Sequence, residues 1–351
     1  MRIRFATKTD VGLLRERNED SLLVFPKYRV GAVADGMGGH LSGDIASALA
    51  VSTLRGFYSN TIGPDRTWPF PYDNDLTEEE NCVVVGVRLA NQHVFARARR
   101  SQNESGMGTT LVVVVFSESG EQVIVGHVGD SRCYRVREGQ LTQLTSDHSL
   151  VSEVTEIAPW LSEDEVNQLP SNVITRALGM APDVVVDLLT TETRVGDTYL
   201  LCSDGLNGML TDPEILETFS DADSLEAICD QLVTKANAAG GNDNTTVVVA
   251  RVYPEHEEDE AASDGNAGSG AESDGDSADG DSAGGDSSEA GDDDEFAEEA
   301  TVVADRDTDS ASTDSASTES ESPSEESVEI IIGGAIQVLE DRGQFDGFLD
   351  D

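Results

Sequence analysis

Hydrophobic residues recur with two different periods along residues 1–254. Short apolar or alternating runs predict strands at 3–7, 28–34, 184–189, 197–203 and 245–252. Apolar residues three or four positions apart predict helices at 41–58, 77–100, 147–158, 213–219 and 224–239. At 109–137, three β-branched runs separated by turn residues predict an antiparallel meander. The pattern therefore predicts antiparallel strands together with helices.

An aspartate stands at the end of a predicted strand in four places. Asp35, Asp130 and Asp204 each follow an apolar run, and Asp243 directly precedes one. Because neighbouring strand ends lie about 4.8 Å apart along one edge of a sheet, we expect these carboxylates to converge there. An isolated Asp-Gly pair is also a common turn, but four such strand ends favour a shared site. Crowded carboxylates need cations, and all-oxygen ligation selects Mg²⁺ or Mn²⁺ over zinc.

Such a site suits the hydrolysis of a phosphoester. Two metal ions about 3.5–4 Å apart lower the pKa of a shared water and screen the charge of a phosphoryl group. The predicted folded part, residues 1–254, has no Gly-x-Ser-x-Gly elbow, and the chain has no P-loop lysine motif, so direct attack by water is the reaction left. An arginine fork would hold two phosphate oxygens. Arg15 and Arg17 are both candidates, and their spacing does not choose between them.

The charge of the chain changes near residue 254. Residues 255–351 hold 33 of the 69 acidic but only two of the 22 basic residues, a net charge of −31 that leaves −16 of the total −47 for residues 1–254. Acidity in both parts argues against nucleic acid as a ligand. We expect one folded domain at 1–254, a disordered acidic Ser/Asp/Glu/Gly-rich linker at 255–327 and a short apolar segment at 328–351. Residues 328–349 are expected to dock a partner or the domain itself.

Lysine is nearly absent, since only three of the 22 basic residues are lysines. An acidic, lysine-poor composition resembles that of proteins from salt-loving archaea. At low salt such a surface repels itself, whereas near 1 M salt the Debye length falls to about 3 Å. We therefore expect a haloarchaeal, halophilic protein that folds poorly in dilute buffer.

The four cysteines, at positions 82, 133, 202 and 229, lack metal-type spacing and predict buried, reduced thiols. The first ten residues have no apolar core of signal-peptide length. No stretch reaches the roughly 18 apolar residues that a membrane helix needs. We expect a cytoplasmic protein without membrane contact.

Eight blocks of the chain occur in the order found in one enzyme family. They are RERNEDS, VADGMGGHLSG, GMGTTLVVVV, HVGDSRCYRV, LTSDHSLV, NVITRALG, LLCSDGLNGML and GGNDNTTVVV. The chain resembles the metal-dependent Ser/Thr protein phosphatases, the PPM or type 2C family, and most of all its compact prokaryotic branch. The resemblance covers roughly residues 2–253. It implies an α+β fold, a four-layer α/β/β/α sandwich of two antiparallel sheets flanked by helices.

The resemblance also implies how metal ions are held. Asp35 would bridge two Mn²⁺ or Mg²⁺ ions, and the carbonyl group of Gly36 would join the second ion. Asp204 and Asp243 would complete the coordination of the first ion. Asp130 would hold, together with Asp204, a weaker third ion.

Further roles are implied for the early charge cluster. Glu19 and Asp20 would orient waters on the metal ions. The family's phosphate-binding arginine lies five residues before that Asp, which selects Arg15 and leaves Arg17 as structural. Asn244 would position the aspartate before it.

One position departs from part of the family. Eukaryotic members carry a histidine directly after the Asp-Gly pair, proposed as the proton donor to the leaving group, where this chain has Met37. Prokaryotic relatives often share the methionine, so the proton donor is open. His40, three residues on, is interpreted as structural. Residues 147–172 correspond to the family's flap, where we expect substrate choice.

The sequence thus predicts a metal-dependent protein serine/threonine phosphatase that attacks phosphoserine and phosphothreonine directly with water. Its expected partners are phosphorylated proteins, the products of Ser/Thr kinases, and it is expected to be a monomer. The alternative is a catalytically weak phosphoprotein-binding or signalling-scaffold member of the same fold. The presence of every expected metal aspartate favours the enzyme.

Overall fold

The computed structural model describes residues 1–38, 42–61, 68–100, 104–170, 172–255, 328–332 and 335–339. The chain forms two compact units, Met1–Gly268 and Ser269–Asp351. In the first unit the strands are β1 (Arg2–Asp10), β2 (Asp20–Phe25), β3 (Val30–Met37), β4 (Gly108–Thr109), β5 (Leu111–Phe116), β6 (Gln122–Val128), β7 (Arg132–Arg137), β8 (Gln140–Gln143), β9 (Asp187–Glu192), β10 (Thr198–Cys202) and β11 (Thr245–Tyr253). Its helices are α1 (Gly43–Thr61), α2 (Glu78–Arg100), α3 (Leu150–Ile157), α4 (Glu163–Val166), α5 (Asp204–Asn207), α6 (Asp212–Asp221) and α7 (Leu225–Ala238).

Two antiparallel sheets form the centre of the first unit. One has the strand order β1-β11-β10-β7-β8 and the other the order β2-β3-β5-β6-β9, with β4 paired to the end of β3. The central strands β5 and β11 are rich in β-branched residues and are buried on both faces, as expected for sheets covered on both sides.

Buried apolar side chains form three separate clusters in the first unit, one between the sheets and one on the outer face of each sheet. Side chains of both sheets, including Val112 and Val248, fill the layer between them. Leu54 of α1 packs with α2 on the outer face of the six-stranded sheet. Ile215 of α6 and Leu232 of α7 pack on the outer face of the five-stranded sheet. The expected four-layer α/β/β/α sandwich is confirmed.

Most predicted elements are present with shifted ends. The capping box predicted at the start of α2 is confirmed, because Thr77 N–H donates to Glu80 Oε2 (2.8 Å) and Glu80 N–H donates to Thr77 Oγ1 (3.3 Å). Tyr28 lies in a short 3₁₀ turn, Pro26–Tyr28, rather than in a strand. The predicted helix start at Leu41 lies outside the described residues. All four cysteines are buried and free, as predicted.

The predicted meander over 109–137 is wrong. β5 and β6 pair in the six-stranded sheet, but β7 pairs with β8 and β10 in the other sheet. The chain crosses from one sheet to the other at Gly129–Ser131. The prediction failed because a run of apolar residues indicates a strand but does not indicate which sheet that strand joins.

In the second unit, residues Val328–Ile332 (β12) pair with Ala335–Leu339 (β13) as an antiparallel hairpin, with Val328 opposite Leu339. The linker expected at 255–327 lies outside the described residues after Glu255. Within the described part of the chain, no helix combines the length and the apolarity needed to cross a membrane.

Candidate metal centre

The last residues of β3 carry the central carboxylate of the site. Asp35 lies opposite Asp20 of β2 in the register of the six-stranded sheet. Its N–H donates to Thr110 Oγ1 (3.0 Å), and its carbonyl oxygen accepts from Thr110 N–H (2.8 Å) and Thr109 Oγ1 (2.8 Å). The backbone of Asp35 is therefore fixed from both sides, which orients its side chain.

Gly36 is required where β3 meets the start of α1. Its N–H donates to the Glu19 carbonyl oxygen (3.1 Å). A Cβ atom at Gly36 would lie 2.6 Å from that oxygen and would overlap the carbonyl group of Gly43. Only glycine fits, so the Gly36 main chain packs directly against the main-chain carbonyl groups of Glu19 and Gly43.

The other sheet supplies two further aspartates. Asp204 is the first residue of α5, two residues after the end of β10, and Asp243 lies two residues before β11. Asn244 N–H donates to Asp243 Oδ1 (2.8 Å). The aspartates at strand ends therefore converge from two facing sheets, and the prediction that they share one edge of a single sheet is wrong.

Asn244 fastens the early charge cluster to this end of β11. Its Nδ2 donates to the carbonyl oxygens of Val11 (2.9 Å) and Arg17 (2.8 Å), and its Oδ1 accepts from Glu19 N–H (2.8 Å). Three bonds from one buried amide thus hold the segment 11–19, from which Arg15 reaches Asp243.

Two hydroxyl groups that the sequence did not single out join the sheets at the site. Ser203 Oγ donates to Asp20 Oδ2 (2.7 Å), which links β10 to β2. Thr110 Oγ1, the acceptor for Asp35 N–H, also lies 2.7 Å from Ser131 Oγ next to Asp130. A polar residue next to the end of an otherwise apolar strand is the sequence signal that could have identified Ser203 and Thr110.

The pKa values of these acids show how closely they are packed. Burial raises the pKa of Asp20 and of Asp130 from 3.8 to about 7 in each case. Burial also raises the pKa of Asp35 and of Asp204 above the ordinary range. For Asp35 the next causes are the negative charges of Asp20, Asp204, Asp130 and Asp243. The charges of four other carboxylates therefore act on Asp35.

The donor atoms fit hard divalent cations. Three buried carboxylate oxygens, Oδ1 of Asp20, of Asp130 and of Asp204, have no hydrogen-bond partner among the described residues. Unpaired buried carboxylate oxygens are costly unless a cation coordinates them. An all-oxygen set suits Mg²⁺ or Mn²⁺. Thus the residues present at the site fit the metal ions that the sequence led us to expect.

Of the two candidate arginines, Arg15 has its guanidinium group at the carboxylates. Its Nη2 lies 2.5 Å from Asp243 Oδ2, and its side chain is 52% exposed. Arg17 contributes its carbonyl oxygen to Asn244. Arg15 is thus the candidate whose guanidinium group contacts a carboxylate of the site.

The predicted flap begins beside the site. Arg132 Nε and Nη2 donate to Asp147 Oδ1 (2.9 Å) and Oδ2 (2.6 Å). The flap contains α3 and α4, and Trp160 between them is 55% exposed. His40 lies outside the described residues.

Comparisons with known proteins agree with this arrangement. The family model described as "Protein phosphatase 2C" matches residues 15–243. The serine/threonine phosphatase stp of Listeria innocua is 37% identical over 247 residues, covering 69% of this chain and 93% of that protein. The crystal structure of the Mycobacterium tuberculosis serine/threonine phosphatase PstP/Ppp is 33% identical, with a TM-score of 0.63 over 72% of this chain and 100% of that one. A structure of the PstP catalytic domain in complex with two manganese ions is 34% identical, with a TM-score of 0.60 over 72% of this chain and 99% of that one.

Proposed function

The chain belongs to the protein phosphatase 2C family, and on that basis we propose that it hydrolyses phosphoserine and phosphothreonine in proteins by direct attack of water at a centre of two Mn²⁺ or Mg²⁺ ions. The observation that carries this proposal is the convergence of acidic groups from both sheets with buried, unpaired oxygens. A purely structural cluster of this charge would be destabilising without a cation.

The residues assigned to the metal ions are those at the strand ends. Asp35 and the Gly36 carbonyl group, with Asp204 and Asp243, would hold two ions, and Asp130 would add a ligand for a third. Bound divalent cations supply a water of lowered pKa and neutralise charge on the phosphoryl group. The protein itself contributes the fixed positions of these oxygens.

Other residues of the chain hold water and substrate in place. Glu19 and Asp20 flank the strand ends and are proposed to accept hydrogen bonds from the attacking water and its neighbours. Arg15 is proposed to bind the substrate phosphate through guanidinium donors that its contact with Asp243 leaves free. Asn244 is proposed to keep Asp243 in position.

Replacing Arg15 tests the assignment of the phosphate ligand. A hydrogen bond to a charged group contributes about 1.5–3 kcal/mol. We therefore expect Arg15→Ala to lower kcat/KM for a phosphothreonine peptide about 10- to 100-fold at saturating Mn²⁺, mainly through KM. Arg17→Ala is the matched control, because it removes the same charge two residues away and leaves the carbonyl group that Asn244 uses. Equal losses in the two variants would refute the assignment.

We also propose that the enzyme works in molar salt inside the cell, on proteins phosphorylated by Ser/Thr kinases. The net charge of −47 supports molar salt, because the acidic groups repel one another. The Debye length, over which salt screens this repulsion, is about 3 Å at 1 M salt but about 30 Å at 0.01 M. The unfolding temperature of the full chain should therefore rise clearly between 10 mM and 2 M KCl. An unchanged melting curve would contradict the proposal.

A further inference from the structure

A second polar cluster lies behind the crossover from β6 to β7. It consists of His127, His148 and Asp187, whose ligating atoms all lie within 4.8 Å of one another. The two imidazole rings stack with their centroids 4.6 Å apart and their planes 18° apart. His148 is 5% exposed, so its interactions are almost entirely with the protein.

The hydrogen bonds of this cluster favour a structural role over a metal site. Gly129 N–H donates to His148 Nδ1 (2.9 Å), so that nitrogen carries a lone pair and the neutral ring carries its proton on Nε2. Nε2 faces Asp187 Oδ2 at 3.2 Å. A histidine that binds a metal normally donates its other N–H group to an acceptor, and here the other nitrogen meets a donor instead.

The neighbours of the cluster hold this arrangement in place. Arg176 Nη1 contacts Asp187 Oδ1, the carboxylate oxygen that does not face the His148 imidazole. His127 Nε2 donates to the Ser146 carbonyl oxygen (2.8 Å) and supports one face of the His148 ring. The His148 ring is thus contacted by groups from three different segments, at Gly129, Asp187 and His127.

His148 holds Gly129 through both its main chain and its side chain. Besides the bond to Nδ1, His148 N–H donates to the Gly129 carbonyl oxygen (3.0 Å). Gly129 has φ +110°, and a Cβ atom there would lie 2.6 Å from Thr110 Cβ. This glycine turn delivers Asp130, whose buried Oδ1 has no hydrogen-bond partner among the described residues.

On its other side, Asp130 is fastened to the central strand. Ser131 Oγ lies 2.7 Å from Thr110 Oγ1, which accepts from Asp35 N–H (3.0 Å). Asp130 therefore sits between one anchor that leads to Asp35 and one that leads to His148. Removing the second anchor would free the turn while leaving every proposed metal ligand in the chain.

We propose that His148, oriented by Asp187, is a positioning residue for Asp130, because its Nδ1 acceptor fixes the Gly129 turn from which the Asp130 carboxylate faces the other acids. The inference rests on the proposed function only in that Asp130 serves a bound cation. His148 touches neither substrate nor metal in this role.

Two substitutions at one position separate the acceptor from the rest of the side chain. In His148→Leu the acceptor is lost, whereas in His148→Asn an Oδ1 bonded to Cγ takes the place of Nδ1 and still accepts from Gly129 N–H. A third variant, Asp187→Asn, keeps the ring and weakens its orientation. Because Asp187 is partly exposed, this variant is expected to fold even if His148→Leu does not.

Mn²⁺ binding to the full chain at 2 M KCl is measured by the electron paramagnetic resonance signal of free Mn²⁺, alongside hydrolysis of a phosphothreonine peptide. Loss of a group that orients a metal ligand typically costs 10- to 100-fold in metal affinity. We expect His148→Leu to weaken the weakest Mn²⁺ site by about that factor and to leave peptide KM at saturating Mn²⁺ within about twofold. His148→Asn should restore most of the affinity, and Asp187→Asn should shift it in the same direction as His148→Leu.

Unchanged Mn²⁺ affinity in His148→Leu and Asp187→Asn would overturn the proposal, and so would equal losses in His148→Leu and His148→Asn, since packing alone would then account for them. If wild type bound Mn²⁺ but hydrolysed no peptide, the proposed function would fail, and the binding comparison would still decide the role of His148.

Discussion

Asp35→Asn should abolish hydrolysis and at the same time make the metal-free protein more stable at pH 8. Asp35 is proposed to serve both metal ions, so its loss removes the charge that holds them. Single groups that stabilise transition-state charge are worth about 10²–10³ in rate, and we expect kcat to fall at least about a thousandfold. Stability should rise because burial and four neighbouring carboxylates disfavour the ionised side chain, which asparagine replaces with a neutral group of the same shape.

The two effects are measured on the same preparations. Turnover is followed with a phosphothreonine peptide and Mn²⁺, and thermal unfolding is followed with a chelator, where a gain of a few degrees is expected for about 2 kcal/mol in a domain of this size. Asp183→Asn is the matched control, because this substitution also removes one negative charge, but at an exposed residue that is not among the acids of the site. Variant turnover above a tenth of wild type, or a lower unfolding temperature without metal, would contradict the assignment.

The stability of the metal-free protein should fall as pH rises from about 4 to about 7. The pKa values of Asp20 and Asp130 are raised from 3.8 to about 7. A carboxyl group with a raised folded-state pKa stabilises the fold fully below its unfolded pKa, and this contribution is lost as pH rises through the folded value. At 1.36 kcal/mol per pKa unit, each group accounts for about 4 kcal/mol at most. Both groups are also affected by the charge of Asp204, so their effects on stability are not simply additive.

Mn²⁺ should therefore stabilise the protein more at pH 8 than at pH 5, because protons compete with the metal for the same oxygens at the lower pH. Unfolding by urea at pH 5, 6, 7 and 8, in constant 2 M KCl with either chelator or Mn²⁺, measures this difference directly. Asp130→Asn should reduce the pH dependence of the metal-free protein. Equal stabilisation by Mn²⁺ at pH 5 and pH 8 would show that the carboxylates are not its ligands.

The sequence located the strand ends that form the site but not the way they meet. Each aspartate follows or precedes an apolar run, which is a local signal, and the structure brings Asp35 and Asp204 together. Which sheet each strand joins depends on distant pairing. The crossover at Gly129–Ser131 illustrates this, because nothing local in β6 or β7 says that the two strands belong to different sheets.

Supporting polar residues were the hardest part of the site to predict. Asn244 was named only through the family resemblance, because its bonds to main-chain groups of residues 11, 17 and 19 leave no mark on the spacing of side chains. Ser203, Thr110 and His148 act across sheets in the same way. The choice of Arg15 over Arg17 came from family resemblance, and the geometry supports it through Asp243.

The most direct test of the account is hydrolysis of a phosphothreonine peptide in molar KCl with Mn²⁺, with and without chelator, by wild type and by Asp204→Ala. The account predicts rapid turnover only by wild type without chelator, because Asp204 and the cation are both required. Equal rates in all four samples would contradict it.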